Sequence, residues 1–79
     1  MKIGLDKRVF EGTPAQIVKA MRDIAFTPRQ FSLSEYIDWV VQNTIQFHEV
    51  VLTVSGKTDD ERAASLINEM LENGLATRL

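Results

Sequence analysis

Glu49-Val50-Val51-Leu52-Thr53-Val54-Ser55-Gly56 is the stretch on which the fold turns. It is rich in β-branched residues, and Val50, Leu52 and Val54 alternate with Val51 and Thr53, the period of two that sends neighbouring side chains to opposite sides of a strand. The same letters also fit a helix. Leu33, Ile37, Val40, Thr44, Phe47, Val51 and Val54 alternate spacings of four and three, as heptad seams do, and Gly56 is placed to end such a helix. We read residues 50–54 as a strand, with continuation of the preceding helix as the competing reading.

On either side of this stretch the chain writes one helix-opening signal three times: Thr13-Pro14-Ala15-Gln16, Ser32-Leu33-Ser34-Glu35 and Thr58-Asp59-Asp60-Glu61. In each, an oxygen-bearing N-cap precedes a Glu or Gln by three positions, so two orphan backbone donors are satisfied reciprocally. Pro14 stands at the first helical position, where its missing N–H is harmless. Helix one then presents Ile17, Val18, Met21, Ile24 and Ala25 on one stripe and stops near Phe26, because Pro28 disfavours helical geometry at Thr27. In helix two, Leu33, Tyr36, Ile37, Val40, Val41, Thr44, Phe47 and His48 project over roughly 120°, a broad stripe that predicts the central helix. Phe31 and Tyr36 are spaced as a hydrophobic staple across its start. Helix three carries Ala63, Ala64, Ile67, Met70 and Leu71 inward, and Asn73-Gly74 ends it with Leu75 over Met70 in a Schellman turn.

Near the N-terminus, Lys2-Ile3-Gly4-Leu5 and Arg8-Val9-Phe10-Glu11 flank Asp6-Lys7, a hairpin with a two-residue turn that places Ile3, Leu5 and Phe10 on one face. The tail, residues 75–79, either adds an edge strand or frays. The whole predicts one small α+β domain over residues 1–79. Its order is ββααβα: an N-terminal hairpin joined by a short third strand, with the three helices on one face.

Hydrophobic residues make up 44% and charged residues 25% of the 79 positions, the balance of a folding globular chain rather than a disordered one. There is no cysteine, which excludes disulfide staples, thiolate metal sites and thiol nucleophiles, and no apolar run of membrane-spanning or signal-peptide length. The expectation is a cytoplasmic protein. Charge is unevenly placed: six basic residues against three acids in residues 1–31, three against eight in residues 32–79.

No constellation for catalysis emerges. His48 has no spaced partner, and a histidine at a helix end is favoured there by the negative pole of the helix. Asp59-Asp60-Glu61 suits the positive pole of helix three and lacks the spacing with which a chain wraps a cation. Ser32, Ser34, Ser55 and Ser65 lack a base-and-acid pair, and Ser55-Gly56-Lys57-Thr58 echoes a phosphate loop but has Val51 where its first glycine belongs. The sequence therefore predicts no enzyme, no metal, no cofactor and no small-molecule substrate. Two surfaces remain. Tyr36 and Trp39 lie at the rim of helix two, as partner-binding anchors do, and an exposed Trp39 beside Ile45 or Leu66 would mark a partner surface. Lys7, Arg8, Lys19, Arg22 and Arg29 form a basic set that suits phosphates, though no nucleic-acid recognition motif accompanies them.

Lys7-Arg8-Val9-Phe10-Glu11-Gly12-Thr13-Pro14-Ala15-Gln16-Ile17-Val18, with Ser34-Glu35-Tyr36-Ile37-Asp38-Trp39, resembles short bacterial proteins that open with a hairpin and a Glu-Gly-Thr-Pro helix start. The resemblance covers under half of the chain and implies a bacterial or phage source, with no activity attached. Together these readings predict a non-catalytic protein-interaction module, a homodimer or an adaptor, using the surface of helix two. The alternative is a small nucleic-acid-associated regulator using the basic N-terminal third.

Overall fold

A computed structural model describes residues 1–25 and 31–79. Among these the elements are β1 (Lys2–Leu5), β2 (Arg8–Glu11), α1 (Pro14–Ile24), α2 (Leu33–His48), α3 (Asp59–Glu72) and β3 (Thr77–Arg78). The predicted class holds: a hairpin, a short third strand in an antiparallel sheet, and three helices. The third strand, however, is not at residues 50–54, so the order is ββαααβ rather than ββααβα.

The physical reason lies in where the backbone of that stretch finds its partners. It runs as an irregular strap beside α3, with Thr53 N–H donating to Glu69 Oε1 (2.7 Å) and Ser55 N–H to Ser65 Oγ (3.0 Å). Two acceptors one turn apart on a helix thus stand in for a neighbouring strand. The alternation read from the sequence is real, since Leu52 is buried and Val50 and Val54 are half-buried while Val51 and Thr53 face solvent. What the alternation leaves open is the partner, and here the partner is a helix. Continuation of α2 fails as well. Glu49 takes the left-handed conformation (φ 56°, ψ 31°), and its N–H and that of Val50 return to the carbonyls of Ile45 and Thr44.

All three N-terminal boxes form. In each, the cap oxygen accepts from the backbone of the third helical residue, whose side chain accepts from the cap backbone. The end of α3 is the predicted Schellman turn: Leu75 N–H donates to Met70 O (2.9 Å) and Gly74 N–H to Leu71 O (3.3 Å), with Gly74 at φ 75°. A left-handed residue there turns the tail back onto β1. The edge-strand reading of the tail is the one that holds, as Thr77 pairs with Gly4 and Arg78 with Ile3. Sheet order is β2-β1-β3. In the hairpin, Leu5 faces Arg8 and Ile3 faces Phe10, the register set by a two-residue turn, with Asp6 at φ 56°.

The helices cover the sheet face bearing Ile3 and Phe10. The expected central helix, α2, is not central: α1 and α3 pack most extensively on each other, and α1 also meets β2. α3 packs against both other helices and buries Ala63, Leu66, Ile67 and Met70, whereas Ala64 is exposed. Leu66 lies off the predicted stripe because α3 is enclosed on two sides. Arg62 fixes the start of α3 to the start of α2 by hydrogen bonds to Ser34 and Asp38, two residues one turn apart. Ile24, expected in the core, is 51% exposed at the last residue of α1. The expected stop near Phe26 and its Thr27-Pro28 signal lie outside the described residues.

Glu61 offers a direct check on the third box. Hydrogen bonds from the backbones of Lys57 and Thr58, and from the Thr58 side chain, hold its carboxyl below the ordinary value of 4.5. A carboxyl depressed on folding stabilises the fold above its unfolded value, and that stabilisation is lost as pH falls through the folded value. We expect Glu61→Gln, which keeps an acceptor but cannot titrate, to flatten the acid limb of a plot of urea midpoint against pH below about 4.5.

Candidate interaction surface

The site expected at Tyr36 and Trp39 is largely internal. Tyr36 falls on the core side of α2, buried with Ile37 and Leu33. Its ring stacks on Trp39 (centroids 5.7 Å apart, planes 23° from parallel), and Trp39 meets Phe31 in a tilted pair at 6.2 Å. Trp39 is therefore half-covered by its own chain, and Leu66, a possible neighbour on an open surface, is fully buried. Burial raises the Tyr36 hydroxyl to about 12, because the phenolate would lose its hydration there. Tyr36 is a core residue rather than a partner anchor.

The exposed apolar surface lies at the other end of the same helix. An α-helix of 16 residues is about 24 Å long. Its buried residues are Leu33, Tyr36, Ile37 and Thr44, and beyond Thr44 the core beneath it runs out. Thr44 satisfies its hydroxyl on Val40 O (2.8 Å), so it sits in apolar surroundings without an orphaned donor. One turn further, Phe47 continues the stripe of Leu33 and Val40 yet is 70% exposed, Ile45 on the opposite flank is 41% exposed, and Val51 just after the helix is 65% exposed. His48, placed by the sequence in the buried stripe, is also exposed.

Charge is nearly absent from this region. Residues 39–56 contain one charged residue, Glu49, against nineteen in the other sixty-one positions. Depletion of charge with enrichment of aromatic and apolar side chains is the composition of an interface centre. A helix end that is apolar on two flanks is normally enclosed. The signal that identifies this surface is in the sequence: an uncharged run continuing through the end of a helix whose core contacts have stopped.

The basic set is spread over the hairpin tip and α1. Lys7 and Arg8 are exposed at the hairpin tip beside Asp6, and Lys19 is exposed on α1. Arg22 is half-buried, donating to Phe31 O (3.5 Å) and pairing with Asp23 (3.5 Å). Arg29 lies outside the described residues.

Ser55-Gly56-Lys57-Thr58 holds its anion internally. The N–H groups of Lys57 (3.2 Å) and Thr58 (3.1 Å) both donate to Glu61 Oε1, occupying the donors that a phosphate would need. Beneath the hairpin tip a cleft of about 190 Å³ is lined by Leu5, Phe10, Met21, Ile24 and Tyr36, together with Asp6 and Arg8. It falls short of the roughly 300–1,000 Å³ of ordinary ligand sites. A larger, open hollow of about 540 Å³ lies on the outer sheet face over Gly4, between Val9 and Leu79. No group of three or more His, Asp or Glu side chains among the described residues is arranged to hold a metal ion, and none of their helices is long and apolar enough to cross a membrane. Compared with family models, curated proteins and solved structures, the chain matches none.

The phenol of Tyr36 is the only one in the chain, so its ionisation is read without overlap. A raised pKa means that burial of the neutral phenol stabilises the fold fully below the ordinary value of 10.0, and that this is lost as pH rises through about 12. An alkaline titration followed by phenolate absorbance should show no transition near 10.0 and one near 12, together with loss of the Trp39 fluorescence signal of the folded state.

Proposed function

We propose that this protein is a non-catalytic protein-interaction module that docks a partner protein on the C-terminal end of α2. The observation that carries this reading is Phe47, an aromatic side chain 70% exposed on an uncharged helix end. Removing such a ring from water inside a partner's pocket is the kind of contact that dominates binding energies. The rest of the molecule supports the role by rigidity. Boxed helix starts, the Arg62 tie to Ser34 and Asp38, and the strap on α3 hold α2 in place while its end projects.

A bacterial source and a cytoplasmic setting belong to the same proposal, supported by the resemblance of residues 7–18 and by the absence of cysteine. The module acts as an adaptor or in paired form, with no cofactor and no chemistry of its own.

Phe47→Asp is the direct test, because a charge at an exposed position leaves the fold intact while opposing burial in a partner. Capture from the native cell, compared between the wild-type protein and Phe47→Asp, should lose its specific partner, while the thermal midpoint stays within about 3 °C, the shift of a surface substitution. Undiminished capture of the same partner would contradict the assignment.

A further inference from the structure

We propose that a second copy of this chain pairs with the free edge of β2, joining two sheets into one of six strands about a two-fold axis. This pairing is separate from the α2 docking surface and does not rest on it.

The edge is open by backbone geometry. In an antiparallel hairpin with a two-residue turn, the residues flanking the turn exchange hydrogen bonds, and the bonded pairs recur at every second residue. Leu5 with Arg8 and Ile3 with Phe10 are therefore the bonded pairs, continued by Gly12 N–H on Met1 O (2.9 Å). Val9 and Glu11 consequently turn their N–H and C=O groups away from β1. On the far side of β1 the corresponding groups are engaged by the tail, where Thr77 pairs with Gly4 and Leu79 N–H donates to Lys2 O (3.0 Å). On β2, no hydrogen bond from the described residues reaches the outward groups of Val9 or Glu11.

Side chains select the occupant. Lys7 and Arg8 lie at one end of the edge and Glu11 at the other, with Val9, 58% exposed, between them. Antiparallel pairing of β2 with its own copy sets the Lys7 end of each strand against the Glu11 end of the other. Parallel pairing sets like charges together. Asp6 shares the turn with Lys7 but leaves the tip net positive. Charged residues on a short edge strand commonly keep other strands away. Here their order along the strand repels parallel copies and admits the antiparallel one, in which the two Val9 side chains shield each other on the outer face. The interface is isologous and closed, so it ends at two copies.

A four-residue edge covers less than the standard interface of about 800 Å² per partner, which is roughly 15% of the monomer's 5239 Å². The dimer is accordingly a weak one, with dissociation in the high micromolar range, on the order of 10⁻⁴ M.

Sedimentation equilibrium of the whole chain up to about 1 mM, with fold checked by Trp39 fluorescence, tests the proposal. The mass should approach twice the 9.0 kDa of the chain. Lys7→Glu and Glu11→Lys should each weaken association about tenfold, and the two together should restore it to within about threefold of wild type. Amide exchange at Val9 and Glu11 should slow as concentration rises, and this reading serves even if a variant fails to fold. A monomeric mass throughout, failure of the double variant to recover, or loss of the dimer in Phe47→Asp with edge amides indifferent to concentration would each overturn β2 pairing.

Discussion

Burial of Ala63, Leu66, Ile67 and Met70 along α3 is the constraint on which the rest of the molecule depends. α1 packs on one side of this helix and α2 on another. The strap of residues 49–58 hangs its backbone on Ser65 and Glu69, and the tail leaves the helix through Gly74 to become β3. A chain of 79 residues builds only one small core; here α3 packs against both other helices, and α1 carries the contact on to β2. The polar cost of that arrangement is small, as no buried side-chain nitrogen or oxygen among the described residues lacks a hydrogen-bond partner. Where a buried donor is unavoidable, as at Thr44, it bonds back to its own helix.

A core of limited extent explains the surface. α2 is longer than the apolar layer beneath it, so its first turns are buried and its last turn is not. The chain does not cover the exposed end afterwards. Instead it reverses at Glu49, buries Leu52 from within the strap and leaves Phe47 and Val51 in solvent. With charges thinned from the same region, the outcome is a rigid apolar projection rather than a cleft. Its composition, apolar and poor in charge, is the one that supports the docking proposed above.

Local signals were fully legible in the sequence wherever their partners lie within a few residues. Thr13, Ser32 and Thr58 each need only the residue three places on, and Gly74 needs only Leu71 and Met70, so boxes and Schellman turn follow from adjacent letters. The hairpin register follows likewise from its turn. What the letters did not reveal is which distant surface each apolar stripe meets. Residues 50–54 alternate as a strand does because one side faces the core, but the periodicity is indifferent to whether Glu69 and Ser65 of a helix or a neighbouring strand accepts the N–H groups. Tyr36 and Phe47 were placed on one stripe, and azimuth alone cannot tell that the core reaches the first and stops before the second. Trp39 was legible as a rim residue, but its cover by Phe31 depends on how the chain enters α2.

The core beneath α2 ends at Thr44, one turn short of the end of the helix. Urea unfolding of Ile37→Ala and Phe47→Ala measured side by side tests this most directly. Both residues are large, apolar and on the inward side of one helix, so a core spanning the full helix treats them alike. The expected loss is about 2–5 kcal/mol for Ile37→Ala, the range for truncating a buried aliphatic side chain, and under about 0.5 kcal/mol for Phe47→Ala. A loss of about 3 kcal/mol or more at Phe47, matching that at Ile37, would contradict it.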